Sequence, residues 1–154
     1  MRHYIISHGL EIFDMSVHSS PKETIIDILH VANWLQGRIV EILAPYNVSL
    51  QQVKVLAIIA KQKDQFATVG TIREQMQDPT SNVSRLLNKL VEKGLVCKEH
   101  STDDQRVVRI HLLPAGVEVM TKSRRAIDDG LDVLCHLSPE ELTSLSALLS
   151  KIKT

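Results

Sequence analysis

The stretch from Ser81 to Arg109 constrains the fold of this chain more than any other part of the sequence. It first predicts one amphipathic helix, with aliphatic residues on one side and serine, asparagine, arginine and lysine on the other. The aliphatic residues are Val83, Leu86, Leu87 and Leu90. Two predicted strands with a charged tip at 101–105 follow at once. This combination suits a DNA-binding surface, because the helix can enter a major groove while the hairpin reaches a neighbouring groove.

Hydrophobic periodicity and capping residues predict three helices before this stretch. The first runs from Pro21 to about Pro45, and its long apolar stripe suits packing against several elements, including another subunit. Ser49 and Gln52 form a capping box at the start of the second, in which each side chain satisfies a backbone N–H group. Thr68 is expected to cap a short third helix over 69–76.

The fourth helix and the hairpin have their own boundary signals. Asp78 is the predicted N-cap of the fourth helix, Pro79 its first residue, and Gly94 the residue that ends it. Alternating apolar residues then predict paired strands over Leu95–His100 and Arg106–Leu112.

Two more helices complete a mainly α (α+β) fold. The fifth begins at Pro114 and runs to about His136, and a capping box within Ser138–Glu141 begins the sixth. The central elements predict a winged helix-turn-helix, and a twofold dimer interface would bury the apolar stripes of the first, fifth and sixth helices. The predicted organisation is an N-terminal arm (1–20), a winged helix-turn-helix module (49–113) and a helical dimerisation region (21–48 and 114–154), all in one compact chain.

Charge and composition limit the kind of nucleic-acid binding. The formal net charge is zero, which argues against binding by bulk electrostatic attraction but allows a local basic patch. From Arg85 to Arg109 there are six Lys or Arg residues against four Asp or Glu residues. Aromatic residues make up only 3% of the chain, which argues against a stacking platform for single strands.

The cysteines and the apolar runs predict a reduced, cytoplasmic protein. Cys97 and Cys135 are far apart and show no metal-ligand spacing, so we interpret both as ordinary small residues; a redox switch is the alternative. No signal peptide is evident, and the longest apolar run, Val55–Ala60, is too short to cross a bilayer.

The seven histidines form no metal-binding pattern. His100 and His111 belong to the two wing strands, but we do not expect the register to place them opposite each other. Neither a metal nor a cofactor is therefore predicted.

Three segments in this order resemble the MarR family of bacterial transcriptional regulators: TVGTIREQM (68–76), SNVSRLLNKLVEKGLV (81–96) and DDQRVVRIHLLPAG (103–116). The family's Asp-x-Arg wing signature matches Asp104-Gln105-Arg106, and the glycine after the wing matches Gly116. The similarity extends over about 21–153. Where the family often has Leu-Thr before the fifth helix, this chain has Leu112-Leu113-Pro114, a departure that concerns the exact start of that helix.

The resemblance implies a homodimer on a roughly palindromic DNA duplex, with each fourth helix in a major groove and each wing near a minor groove. Arg85 is the first candidate for a base or phosphate contact, and a solvated helix residue is the alternative. Ser81, Asn82 and Ser84 are candidates near the helix start, where the alternative is N-terminal capping. Asn88 is a further candidate, and Lys89 is expected to contact a phosphate.

In the wing, Arg106 is the candidate for the minor groove, with Asp104 orienting it; an exposed ion pair is the alternative. Many members of the family release DNA on binding a small phenolic or other ligand, between the dimer helices and the DNA-binding lobe. His30 and Trp34 are neighbours on the first helix and are the candidates for such an effector site. The alternative for Trp34 is packing at the dimer interface.

The sequence pattern predicts a regulator that binds double-stranded DNA sequence-specifically. The resemblance implies that it is a homodimeric repressor relieved by a small aromatic or other effector. The alternative is a winged-helix module that binds proteins and not DNA. An enzyme is not expected, because the chain shows no catalytic triad, Gly-rich phosphate loop or metal triad.

Overall fold

The computed structural model describes residues 20–63, 66–76, 82–100, 107–134 and 136–152. Predictions for the N-terminal arm, Ser81, the wing tip and Cys135 lie outside these residues. The helices are α1 (Pro21–Leu43), α2 (Leu50–Ala60), α3 (Val69–Met76), α4 (Val83–Glu92), α5 (Pro114–Leu134) and α6 (Pro139–Ile152). The strands are β1 (Phe66–Thr68), β2 (Val96–His100) and β3 (Val108–Leu112).

The predicted order of helices and wing strands is confirmed, so the fold is a winged helix-turn-helix with added N- and C-terminal helices. The chain divides into two compact units, residues 1–36 and 37–154. The described part of the first is Ser20 and α1 as far as Gln36. The second contains the rest of α1, helices α2 to α6 and the sheet. Among the described residues no single helix is long and apolar enough to cross a membrane. One bent pair of helical segments, Pro21–Tyr46 with Leu50–Ala60, has the length and composition of a membrane span when taken together.

The sheet has one strand more than predicted. Its three antiparallel strands lie in the order β1-β3-β2, with β3 in the centre. His111 on β3 pairs with Cys97 on β2 and, across its other edge, with Phe66 on β1. His100 on β2 pairs with Val108. The expectation that His100 and His111 are not opposite each other is therefore confirmed. The short strand β1 was missed because three residues are too few to show an alternating pattern.

Local side-chain hydrogen bonds explain where most helices begin. The Ser49–Gln52 capping box is present, with Gln52 N donating to Ser49 Oγ (3.3 Å) and Ser49 N donating to Gln52 Oε1 (3.1 Å). Thr68 Oγ1 accepts from Thr71 N (3.1 Å) at the start of α3. At the predicted cap of α6, the backbone N–H of Ser138 and then its hydroxyl group hold the pKa of the Glu141 carboxyl below its usual value.

The predicted start of α4 is wrong. The helix begins at Val83, and its N-cap is Asn82, whose Oδ1 accepts from Arg85 N at 3.1 Å. Asp78 and Pro79, the predicted cap and first residue, lie outside the described residues. Both Asp and Asn are favoured N-caps, so residue type alone did not separate the two candidates.

One hydrophobic core joins α2, α3, α4 and the sheet. Three residues of α4 are buried in it, and Ile110 from the central strand is fully buried. Because the same side of α4 supplies all its buried residues, its polar side is left facing outward. The buried residues are Leu43, Val48, Val53, Val55, Leu56, Ile58, Ile59, Ala67, Ile72, Met76, Val83, Leu87, Leu90, Leu95, Val96 and Ile110.

Gly116, in the first turn of α5, lies directly against the chain that enters β2. A Cβ atom at this position would be 2.1 Å from the carbonyl oxygen of Leu95, which is backbone and cannot rotate away. Leu113 N also donates to that oxygen at 3.1 Å. The absence of a side chain at Gly116 therefore allows α5 to start against β2.

We expect Gly116→Ala to lower the free energy of unfolding by about 1 to 3 kcal/mol, because the added methyl group forces this contact apart. Chemical denaturation measures the change. Gly70→Ala in α3 is the matched control, since a Cβ there would meet only Thr68 Oγ1 at an ordinary 3.6 Å. Equal stability of the two variants would contradict the role given to Gly116.

Candidate nucleic-acid interface

Helix α4 separates apolar and polar residues into two faces. Val83, Leu87 and Leu90 are buried. Ser84, Arg85, Asn88 and Lys89, which are four of the predicted site residues, are exposed on the other side. The arrangement places hydroxyl, guanidinium, amide and ammonium groups on about two helical turns. These groups can donate hydrogen bonds to phosphate oxygens or to base edges.

Asn82 holds the start of this face in place. Its Oδ1 accepts the hydrogen bond from Arg85 N, so Asn82 caps the helix, which was the alternative to a DNA contact for this residue. The residue is exposed, and its Nδ2 group is the part of the side chain with hydrogens to donate. The cap fixes the backbone from which Arg85 projects.

Asn88 is joined to the wing by a residue that was not among the predicted site residues. Lys98 Nζ, on β2, donates to Asn88 Oδ1 at 2.6 Å. Lys98 is opposite Ile110, the buried residue of β3, so its side chain leaves the sheet on the face that α4 packs against. The period-2 alternation of β2, with Lys98 two residues after buried Val96, predicts the face of the sheet on which Lys98 lies but not its partner on α4.

The C-terminal end of α4 is tied to the start of α2. Lys93 Nζ donates to the Asn47 carbonyl oxygen and to Gln52 Oε1, the latter at 3.3 Å. Gln52 is only 3% exposed, so the ammonium group meets a buried amide that already closes the capping box. These contacts fix the C-terminal end of α4 to the core.

The opposite face of the sheet carries a row of interacting side chains. The Arg109 guanidinium carbon lies 4.9 Å from the centre of the Phe66 ring, and the ring centres of Phe66 and His111 are 5.4 Å apart. His111 Nε2 lies 3.0 Å from Glu99 Oε2, a contact that is an ion pair only when the imidazole is protonated. The contacts join all three strands and stabilise the base of the wing.

A cleft of about 340 Å³ opens behind α4. Its walls are mostly apolar, with Val40 and Leu43 from α1, Leu50 from α2 and Leu86 from α4. Lys89 and Lys93 supply two ammonium groups. The predicted effector residues His30 and Trp34 are not among its lining residues; both are exposed in the single chain, Trp34 by 52%.

The other candidate residues are placed as follows. Cys97 is half-buried on β2, opposite His111. Among the described residues no three His, Cys, Asp or Glu side chains are arranged to hold a metal ion. Ser81, Asp104, Arg106 and Cys135 lie outside the part of the chain that the structure describes, so their predicted roles stay predictions.

Comparison with known families and proteins points to transcriptional regulators. The model of the MarR family matches residues 46–107. The uncharacterised HTH-type transcriptional regulator YsmB of Bacillus subtilis is 29% identical over 143 residues, which cover 88% of this chain and 94% of YsmB. The HTH-type transcriptional repressor MdtR of the same organism is 27% identical over 121 residues, covering 77% of this chain and 76% of MdtR.

Solved structures agree with the fold. A putative MarR-like transcription regulator from Bacillus cereus has a TM-score of 0.75 at 26% identity, covering 86% of this chain and 94% of its own. Sco3205, a MarR family regulator from Streptomyces coelicolor solved in complex with DNA, has a TM-score of 0.74 at 18% identity, covering 91% of both chains. Bordetella bronchiseptica BpsR, whose DNA binding is regulated by 6-hydroxynicotinic acid, has a TM-score of 0.71 at 16% identity, covering 94% of this chain and 98% of its own.

Proposed function

We propose, from the premise that this chain belongs to the MarR family of transcriptional regulators, that it is a homodimeric cytoplasmic repressor that binds a pseudo-palindromic DNA operator and releases it when a small molecule binds. As a member of this family it is a DNA-binding regulator and not an enzyme.

The observation that carries the DNA-binding role is the outward polar face of α4. Ser84, Arg85, Asn88 and Lys89 are all exposed, while the other side of the helix is buried in the core. A helix fixed in this way can enter a major groove without rearranging the module. Ser81, Asn82 and the wing residues Asp104 and Arg106 complete the proposed DNA-binding set, with Arg106 in the minor groove.

Exposed apolar side chains on two helices of the described part of the chain support a homodimer. Helix α6 exposes Leu142, Leu145, Leu149 and Ile152, by between 38% and 63%. Helix α1 separately exposes Ile25, Ile26, Leu29, Val31, Trp34 and Val40. Large apolar surfaces of this kind mark interaction sites, and a second copy can cover them through a twofold axis. The same axis would relate two α4 helices, which calls for two inverted half-sites in the operator.

The repressor role is supported by the relative MdtR, which is named as a repressor. The alternative, a winged-helix module for protein contact without DNA binding, would not need hydrogen-bonding groups along the whole outer side of α4. Selection of bound duplexes from a random pool tests the proposed function. We expect enrichment of an inverted repeat, whereas failure to enrich any sequence would favour the protein-contact alternative.

Removal of the Lys89 ammonium should weaken binding to all duplexes. As a phosphate contact, Lys89→Ala should reduce by about one unit the slope of log affinity against log salt, because one fewer counterion is released. Fluorescence anisotropy at several salt concentrations measures this slope. Lys122→Ala on α5, whose ammonium is paired with Glu118 at 2.6 Å, is the control. An unchanged slope in Lys89→Ala would remove Lys89 from the interface.

A charge on the apolar face of α6 should separate the two copies. We expect Leu145→Glu to be monomeric and to lose operator binding, since a buried carboxylate at the interface has no partner. Analytical ultracentrifugation measures the mass in solution. Thr143→Glu, on the opposite side of the same helix by its 100° spacing, should remain dimeric. The dimer proposal fails if Leu145→Glu keeps the mass and the DNA affinity of the parent protein.

Relief by an effector is supported by two observations. BpsR is a structural relative whose DNA binding responds to 6-hydroxynicotinic acid, and the cleft behind α4 combines apolar walls with two ammonium groups. A small aromatic acid in that cleft would engage Lys89 and draw it from DNA. The predicted site at His30 and Trp34 is the second location for such a ligand.

We expect 6-hydroxynicotinate or benzoate to lower operator affinity by about fivefold or more, and neutral benzamide to have little effect. Trp34 is the single tryptophan, so its fluorescence reports whether the ligand sits beside it or elsewhere. Operator affinity that stays constant with both acids would contradict relief by this class of ligand. The proposed DNA-binding role would still stand.

A further inference from the structure

The hydrogen bond between Lys98 and Asn88 fixes the orientation of a side-chain amide on α4. An ammonium group can only donate, so the atom of Asn88 that faces it must be the amide oxygen. The Nζ–Oδ1 distance of 2.6 Å is that of a strong charge-assisted bond. The two amide hydrogens on Nδ2 therefore point away from the wing.

Asn88 belongs to the face of α4 that the proposed function places in the major groove. It follows Ser84 by four residues and Arg85 by three, spacings that bring side chains together on one side of a helix. All three residues are exposed. Lys98 itself lies on β2, whose pairing with β3 fixes its register in the sheet.

This orientation changes which base Asn88 can recognise. An unrestrained asparagine pairs with adenine by accepting from N6 and donating to N7. The bond from Lys98 turns Oδ1 towards the wing and occupies one of its two acceptor positions, so Asn88 offers the base edge its two Nδ2 hydrogens beside a positive charge. The N6 amino group of adenine is itself a donor and fits such an edge less well than an acceptor does. Guanine presents two acceptors, O6 and N7, at the same edge of the major groove.

We propose that Lys98 is a positioning residue for base specificity: by holding Asn88 Oδ1 it makes Asn88 a hydrogen-bond donor and selects guanine over adenine at one base pair of each half-site. This inference rests on the proposed function, because it requires α4 to lie in the major groove. The Lys98 charge also attracts phosphate, but that contribution is the same for both bases.

The test is the operator selection repeated with Lys98→Met, which keeps the length of the side chain and removes the donor. We expect the parent protein to enrich guanine at one position of each half-site. In Lys98→Met the affinity ratio of guanine to adenine duplexes should move towards adenine by about fivefold or more. Lys98→Arg should keep the guanine preference, since a guanidinium group also donates.

A double-mutant cycle separates positioning from a change in charge or stability. In an Asn88→Ala background, Lys98→Met should leave the guanine-to-adenine ratio unchanged, although overall affinity falls. Lys122→Met is the control for removal of a distant ammonium group.

The outcomes distinguish this inference from the proposed function. If Lys98→Met binds the parent's operator with the parent's base preference, the positioning role is overturned and DNA binding by α4 stands. The positioning role is also overturned if the preference shifts equally with and without the Asn88 amide. If the parent protein enriches no sequence, both the inference and the proposed function fall.

Discussion

The turn at Gly94 and Leu95 is the constraint on which the orientation of α4 relative to the wing strands depends. Gly94 has a positive φ of 65° and donates to Val91 O at 2.9 Å, while Leu95 N donates to Leu90 O at 3.0 Å. These two bonds end α4 in a Schellman motif, which needs a left-handed residue after the helix. The Leu95 carbonyl then accepts from Leu113 N and lies against Gly116. A single peptide segment thus fixes the end of α4, the start of β2 and the start of α5.

The turn and the buried side of α4 together fix the direction in which its polar face points. The helix cannot rotate about its axis without withdrawing Leu87 and Leu90 from the core, where they are 1% and 0% exposed. Burial of each such side chain contributes about 1.5 to 3 kcal/mol, more than the gain from any one surface hydrogen bond. Consequently the hydrophobic side of the helix decides where Arg85 and Asn88 point. Donors positioned before binding lose less side-chain entropy when they meet DNA.

Most features that depend on neighbours in sequence were predictable, with the start of α4 as the exception. Contacts that depend on distant strands were not predicted. The caps at Ser49, Thr68 and Ser138 use residues three positions apart, and the structure contains all of them. Helical spacing likewise identified Arg85 and Asn88 as exposed. By contrast, β1 exists through its pairing with β3, more than 40 residues later, and Lys98 meets Asn88 only because the hairpin folds back beside α4. Such contacts follow from register, which the sequence pattern of a three- or five-residue strand does not specify.

The formal net charge of zero bears on the role of the basic residues that make these distant contacts. A formal net charge of zero provides no strong long-range positive field, so the proposed DNA binding depends on where the basic residues lie. Two of the lysines between Arg85 and Arg109 bind groups of the protein itself: Lys93 holds Asn47 and Gln52, and Lys98 holds Asn88. Their positive charges therefore orient groups of the protein. In this chain the basic residues act through position more than through number.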